Sequence, residues 1–250
     1  MLLPAADLVV VDVETTGWLA DAASITEIGA VRIGPDRRRA EFSALVNPGV
    51  PIPPDITELT GISDAMVSDA PAIGDVIGRF LEFARGGIMV AHNAPFDIGF
   101  LTAACHECGI AWPPCAVLDT AVLSRLILRP DEVPDHKLAT LASHFAAVTG
   151  PCHRALADAR ATADVLAGLL SILAGGPRPA PSPAVSQPVA APEAPSRYDV
   201  AAAGTRVPGT QEAAMVTAIV LIKCDVARIP ETAQEIAQIQ QVSEVYSVTG

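Results

Sequence analysis

The chain has 250 residues, half of them apolar, with a formal net charge of −12. That length fits one or two domains with a real buried core. The acidic balance argues against a protein that grips a long stretch of nucleic acid, because backbone affinity comes mainly from Lys and Arg. It does not exclude an enzyme that holds a few terminal nucleotides with the help of bound cations. The excess lies early: up to Gly175, 11 Lys and Arg face 21 Asp and Glu. The start, Met1-Leu2-Leu3-Pro4, lacks the basic opening of a signal peptide. The longest mostly apolar run, Val165–Ala174, is too short for a bilayer, which takes ~20 residues. A cytoplasmic protein with reduced thiols and no membrane partner is expected.

In chain order, Leu8–Val13 is a short β-branched run with the pattern of a buried strand. Ser24–Ile33 and Glu41–Val46 read as two more strands, joined by turn chemistry at Gly34-Pro35-Asp36. Asp55, with Glu58 three residues on, predicts a capping-box helix start, and Gly61 a stop. Ile73, Ile77, Phe80, Leu81 and Ala84 recur at helical spacing up to Gly86-Gly87. Ile88–Ala91 predicts a buried strand, Pro95 opens a helix, and Ala116–Leu118 is a fifth strand. Helices are expected over Thr120–Leu128, Leu138–Ala146 and Ala155–Ala174. Strands followed by alternating strands and helices predict an α/β domain with a mixed sheet.

The composition changes at Gly175. Residues 176–214 hold 8 of the 22 prolines and are rich in Ala and Ser, which predicts an extended, disordered linker. From Met215 a β-α-β pattern resumes. The expected organisation is therefore a domain at 1–175, a linker at 176–214 and a small unit at 215–250.

The chemistry lies in the first domain. Asp12 and Glu14 are two apart on a strand, so both carboxylates point to one face. Adjacent carboxylates repel unless a cation sits between them, and hard oxygen ligands suit Mg²⁺ or Mn²⁺. In His92-Asn93-Ala94-Pro95-Phe96-Asp97, Asp97 falls in the first turn of a helix. In His153-Arg154-Ala155-Leu156-Ala157-Asp158, Asp158 belongs to the next helix and His153 to the loop before it. Four carboxylates for two metals, with a histidine for proton transfer, suit phosphodiester hydrolysis. Cys105-His106-Glu107-Cys108 offers one Cys pair where a structural zinc site usually draws on two, so its thiols are read as buried or idle. Arg37-Arg38-Arg39 is read as a solvated hairpin tip, and His136-Lys137 as a phosphate contact.

These three motifs, in this order, resemble the exonuclease motifs of the DEDDh (DnaQ-like) 3′→5′ exonuclease superfamily, which includes the epsilon subunit of bacterial DNA polymerase III. The resemblance runs from about Asp7 to Leu170 and takes in Thr26-Glu27-Ile28-Gly29-Ala30, Thr60-Gly61-Ile62 and Leu118-Asp119-Thr120. It implies a ribonuclease H-like mixed sheet flanked by helices, two Mg²⁺ or Mn²⁺ ions, and release of 5′-mononucleotides from a single-stranded or frayed DNA 3′ end in proofreading or repair. By position, Asp12, Glu14, Asp97 and Asp158 would be metal ligands and His153 the general base. Thr15, Thr16, Asn93 and Phe96 would line the terminal-nucleotide site. RNA is the alternative substrate, and association with a polymerase or with a second copy is left open. Residues 215–250 resemble the start of the ligand-sensing domain of the leucine-responsive/asparagine regulator (Lrp/AsnC) family. That implies a partial ferredoxin-like β-α-β unit and, as a further alternative, a regulatory or interaction role.

Overall fold

The computed structural model describes residues 7–180. The linker expected at 176–214, from residue 181 on, and the ferredoxin-like unit expected at 215–250 lie outside the described residues. Five strands form one sheet: β1 (Leu8–Thr15), β2 (Ile25–Ile33), β3 (Arg39–Leu45), β4 (Ile88–Ala91) and β5 (Val117–Asp119). Their order is β3-β2-β1-β4-β5. β1–β2 and β2–β3 are antiparallel, while β1–β4 and β4–β5 are parallel. The sheet is therefore mixed, with β1 at its centre.

Among the described residues, seven helices accompany it: α1 (Pro54–Thr60), α2 (Asp64–Val67), α3 (Ile73–Ala84), α4 (Pro95–Glu107), α5 (Thr120–Ile127), α6 (Leu138–His144) and α7 (Ala155–Leu173). The period-two alternation of β1 divides the core. Val9, Val11 and Val13 pack with Val76, Ile77 and Phe80 of α3 and with Phe100 and Leu101 of α4. Leu8 and Val10 face the other way, against Leu123 of α5, Leu141 of α6 and Leu166 and Leu169 of α7. A small satellite of Ile52, Ile56, Ile62 and Val67 lies under α1 and α2.

The differences from the sequence reading have local causes. α1 starts at Pro54 and no side chain caps it, so Asp55 and Glu58 form no capping box; Pro at the first helical position has no N–H that needs an acceptor. Gly61 does end α1, at φ 69°. The short α2 has no counterpart among the expected helices. β1 runs beyond Val13 to Thr15, with a bulge between Glu14 and Thr15, and a bulge there re-aims side chains at the strand's end.

One contact ties the chain just beyond Gly175 back to the domain. Glu132, in the loop between α5 and α6, is 1% exposed. Its Oε2 accepts from the Arg129 backbone N–H at 2.7 Å and from Arg178 Nη1 at 2.6 Å, and Arg178 Nη2 donates to the Ile127 carbonyl at 3.2 Å. A buried carboxylate that loses one of its cations bears more of its desolvation cost uncompensated, and Arg129 Nη2, 3.4 Å from the other oxygen, is then the cation left to Glu132. Arg178→Ala is therefore expected to lower the unfolding free energy by about 1–3 kcal/mol in urea titrations of the whole chain. Adding Glu132→Gln should recover most of that loss. An unchanged urea midpoint for the single variant would remove Arg178 from the domain's packing.

Candidate active site

Asp12 and Glu14 continue the Leu8–Val10 face of β1, the face that α7 covers. In the β1–β2 ladder, Asp12 lies opposite Gly29 and Glu14 opposite Glu27. Gly29 is where α7 comes nearest: a Cβ there would stand 2.1 Å from the Leu156 backbone nitrogen. Only a glycine lets the start of α7 approach the strand this closely, and that approach delivers Asp158 to the carboxylates of β1.

Asp97 arrives from the parallel side of the sheet. It lies in the first turn of α4 and is 3% exposed. Its Oδ1 accepts the Val13 backbone N–H at 3.0 Å, a direct bond from helix to central strand. The loop before α4 is fixed by Asp119 at the end of β5. The Asp119 carboxylate accepts from Asn93 N–H (3.2 Å), Ala94 N–H (3.0 Å), Ala121 N–H (2.8 Å) and Val122 N–H (3.2 Å). It thus caps α5 and holds Asn93 at φ 65° in one group. His92 is a structural residue beside it. Its Nδ1 bonds Thr120 Oγ1 at 2.9 Å, and burial drives its pKa down to about 4, so the ring is neutral at physiological pH.

The acidic groups act on one another. Burial raises the pKa of Asp12 well above the usual carboxylate range, and Asp97, Asp158, Glu14 and Glu27 push it further. Burial, then Asp158, Glu27 and Asp97, raise Glu14 to about 8, against a lowering by Arg154. Asp97 is raised to about 8, mainly by burial. Burial also raises Asp158, while the backbone around Cys152 and the ring of His153 work the other way. A cluster that resists ionisation this strongly fits hard divalent cations. Asp12, Glu14, Asp97 and Asp158 are the groups that could hold them.

Within this cluster, one ligand atom each from Glu14, His153 and Asp158 lies within 4.8 Å of the others. This is the only such group of three among the described residues, and the four cysteines there take no part in one. His153 is exposed, at φ 54°, in the loop before α7. The four residues expected at the nucleotide site divide into two kinds. Thr15 and Thr16 are buried; Thr15 Oγ1 donates to the Gly17 carbonyl, and Thr16 Oγ1 accepts the Ser24 N–H at 2.9 Å. Asn93 is exposed, and the half-buried Phe96 ring packs on Phe100 with centroids 4.9 Å apart.

A family model described as Exonuclease (RNase_T) matches residues 9–166. The chain belongs to this exonuclease family. It is 51% identical over 176 residues to a protein of Mycobacterium tuberculosis (strain CDC 1551 / Oshkosh) whose name joins an exonuclease to an endonuclease. That match covers 68% of this chain and 27% of the relative. A PolC-type DNA polymerase III of Caldanaerobacter subterraneus subsp. tengcongensis is 42% identical over 167 residues, which are 67% of this chain and 12% of the polymerase. The chain thus matches about a quarter or less of the length of these two relatives. Among solved structures, Exonuclease X in complex with 5′-overhanging duplex DNA superposes with a TM-score of 0.53 at 29% identity, covering 66% of this chain and 92% of that one. The mixed sheet with flanking helices is thus the ribonuclease H-like arrangement of this exonuclease family.

Two groups of this exonuclease domain were not legible as site residues in the sequence. Glu27 is a fifth carboxylate beside the cluster, buried and paired with Arg154. Asp119 was visible only as the end of a strand motif, although an Asp at a strand end just before a helix is an N-cap signal.

The raised carboxylates give the cation-free protein a definite pH response. Their folded pKa lies above the unfolded one, so the folded state binds more protons between the two values, and stability falls as pH rises. For Glu14 and Asp97 that loss runs from the ordinary carboxylate range up to about pH 8, and pH 6.5 to 8 is the part of it that His92 does not oppose. Below 6.5 the buried His92 acts in the opposite sense, because only its unfolded state takes up a proton there. In EDTA the melting temperature should therefore rise as pH falls from 8 to 6.5, and Glu14→Gln should flatten the slope. A melting temperature independent of pH in this window would show that the carboxylates are not held together as described.

Proposed function

We propose that the domain is a 3′→5′ exonuclease that uses two Mg²⁺ or Mn²⁺ ions to remove mononucleotides from DNA 3′ ends, in proofreading or repair. The observation that carries this reading is the convergence of buried Glu14, Asp97 and Asp158 with half-buried Asp12, with His153 exposed at their rim. Exonuclease X was solved with a 5′-overhanging duplex. Such a duplex has a recessed 3′ end, which supports DNA 3′ termini as the substrate. The PolC-type relative supports proofreading or repair.

The divalent ions, when bound, would neutralise the carboxylates and stabilise the charge that builds on the attacking and leaving oxygens of a phosphodiester. The protein's part is to hold and orient. Asp12 and Glu14 are fixed by the central strand, Asp97 by its bond to Val13, and Asp158 by the backbone of the His153 loop. A ring nitrogen of His153 takes the proton from the water that attacks phosphorus. The half-buried Phe96 ring offers a stacking surface to the terminal base, and the exposed Asn93 a polar contact. Thr15 and Thr16 shape the turn after β1, since their hydroxyls are already engaged within it.

The test is a product ladder from 5′-labelled single-stranded DNA, 3′-recessed DNA and RNA, with Mg²⁺, Mn²⁺ or EDTA. Shortening from the 3′ end, on DNA and only with a divalent ion, is expected. Asp12→Ala or Asp158→Ala should lower turnover by several orders of magnitude. His153→Ala should lower it by about 10²–10⁴-fold, the usual contribution of a positioned base, while leaving metal affinity nearly unchanged. Full activity in EDTA, or loss of label from the 5′ end as the first product, would overturn the assignment.

A further inference from the structure

The loop that carries His153 is held from two sides. On one side, Cys152 N–H donates to Asp158 Oδ1 at 2.8 Å, and the backbone of His153 and Arg154 also faces that carboxylate. On the other side stands Glu27, 3% exposed on β2. Arg154 Nε donates to Glu27 Oε2 at 3.0 Å and Arg154 Nη2 to Oε1 at 2.9 Å, while Ala155 N–H donates to Oε2 at 3.0 Å. Between these anchors His153 adopts φ 54°, a left-handed conformation that a residue with a Cβ keeps only where its surroundings hold it.

We propose that Glu27 and Arg154 are a positioning pair: they lock the His153 loop onto β2 and so set where the imidazole stands relative to Glu14 and Asp158. This rests on the nuclease reading for its catalytic consequence, but the geometry stands apart from it. The pair is not needed to keep α7 on the sheet. Leu166 and Leu169 are buried in the core there, and Arg160–Glu41 and Arg39–Asp164 tie the helix to β3. What Glu27 and Arg154 control is the residue next to Arg154.

The chemistry of the pair matches that role. A guanidinium can meet a carboxylate through two parallel N–H donors, which fixes direction as well as distance; an ammonium fixes only distance. The partner carboxylate belongs to a strand in the middle of the sheet, so it is a rigid reference point. Glu27 also lies directly opposite Glu14 in the ladder. Without Arg154 it would face the cluster as another unpaired charge. One guanidinium therefore holds the base loop and offsets part of the repulsion that Glu27 adds around Glu14.

The test uses the full 250-residue chain, with Arg154→Met, Arg154→Lys and Glu27→Gln made alone and in a His153→Ala background. The chain has five histidines, so the His153 imidazole resonance is assignable by its disappearance in His153→Ala. In the metal-free protein, Arg154→Met is expected to shift or broaden that resonance and leave the other four in place. On a single-stranded DNA oligonucleotide, kcat should fall by about 10- to 10²-fold, the scale of a misplaced catalytic group, with KM within about twofold. Arg154→Lys should recover part of the loss. In the His153→Ala background, Arg154→Met should cost nothing further, because it acts through the residue already removed. An unmoved His153 resonance, or losses that multiply in the double variant, would overturn the proposal. If Arg154→Met does not fold, Arg154→Lys and Glu27→Gln carry the same comparisons. A wild-type chain without nuclease activity would end the nuclease reading and leave the resonance measurement to decide the positioning role.

Discussion

Carboxylates repel one another and resist burial, yet five of them converge at the end of β1: Asp12, Glu14, Glu27, Asp97 and Asp158. The rest of the domain can be understood as the means of tolerating that arrangement. β1 is flanked on both sides by strands and covered on both faces by helices, so the framework that bears the repulsion is the most completely packed part of the fold. Three of the five groups are compensated in specific ways. Glu27 has Arg154, Asp97 has the Val13 amide, and Asp158 has the backbone of the loop before α7. Asp97 and Asp158 keep raised pKa values despite these bonds, as do Asp12 and Glu14, so a cation bound there would have four carboxylates to neutralise.

The same repulsion explains how the two helix-borne carboxylates are delivered. Asp97 and Asp158 both lie in the first turn of their helices, where the exposed N–H groups and the helix dipole favour negative charge. Each helix is preceded by a residue with a Cβ held at positive φ, Asn93 before α4 and His153 before α7. Such conformations cost on the order of 1–3 kcal/mol each. Both are held by carboxylates outside the set of four, Asp119 for the first loop and Glu27, through Arg154, for the second. The supporting shell is thus itself acidic, with every oxygen turned to a donor.

The sequence revealed what is periodic and what is adjacent. The β-branched run Leu8–Val13 marked a buried strand, and the two-residue spacing of Asp12 and Glu14 put them on one face. The apolar spacing of Ile73, Ile77 and Phe80 marked α3, and Gly61 marked the end of α1. Contacts between residues far apart were not legible. Glu27 and Arg154 are 127 positions apart, and Asp119 reaches back 26 positions to Asn93. Nothing local distinguishes a buried, paired glutamate from a solvated one. The capping box at Asp55 failed because the cap position is Pro53, which has no side-chain acceptor, and Asp55 and Glu58 already lie inside the helix.

Charge also limits how such a site can hold a polyanion. Up to Gly175 acidic residues outnumber basic ones by 21 to 11, and several of the arginines are spent within the domain. Arg32 pairs with Asp7, Arg39 with Asp164, Arg154 with Glu27 and Arg160 with Glu41. Few cations remain to follow a phosphate backbone away from the cleft, and affinity that depends on backbone neutralisation rises with their number. Under the proposed reading, the grip on a nucleic-acid end must come from the site itself, through bound cations, the Phe96 face and the turn after β1. A unit that holds its substrate at one end and little elsewhere gains from being linked to another that supplies the remaining affinity. The matching segments of the Mycobacterium and PolC-type relatives are likewise small parts of much longer chains.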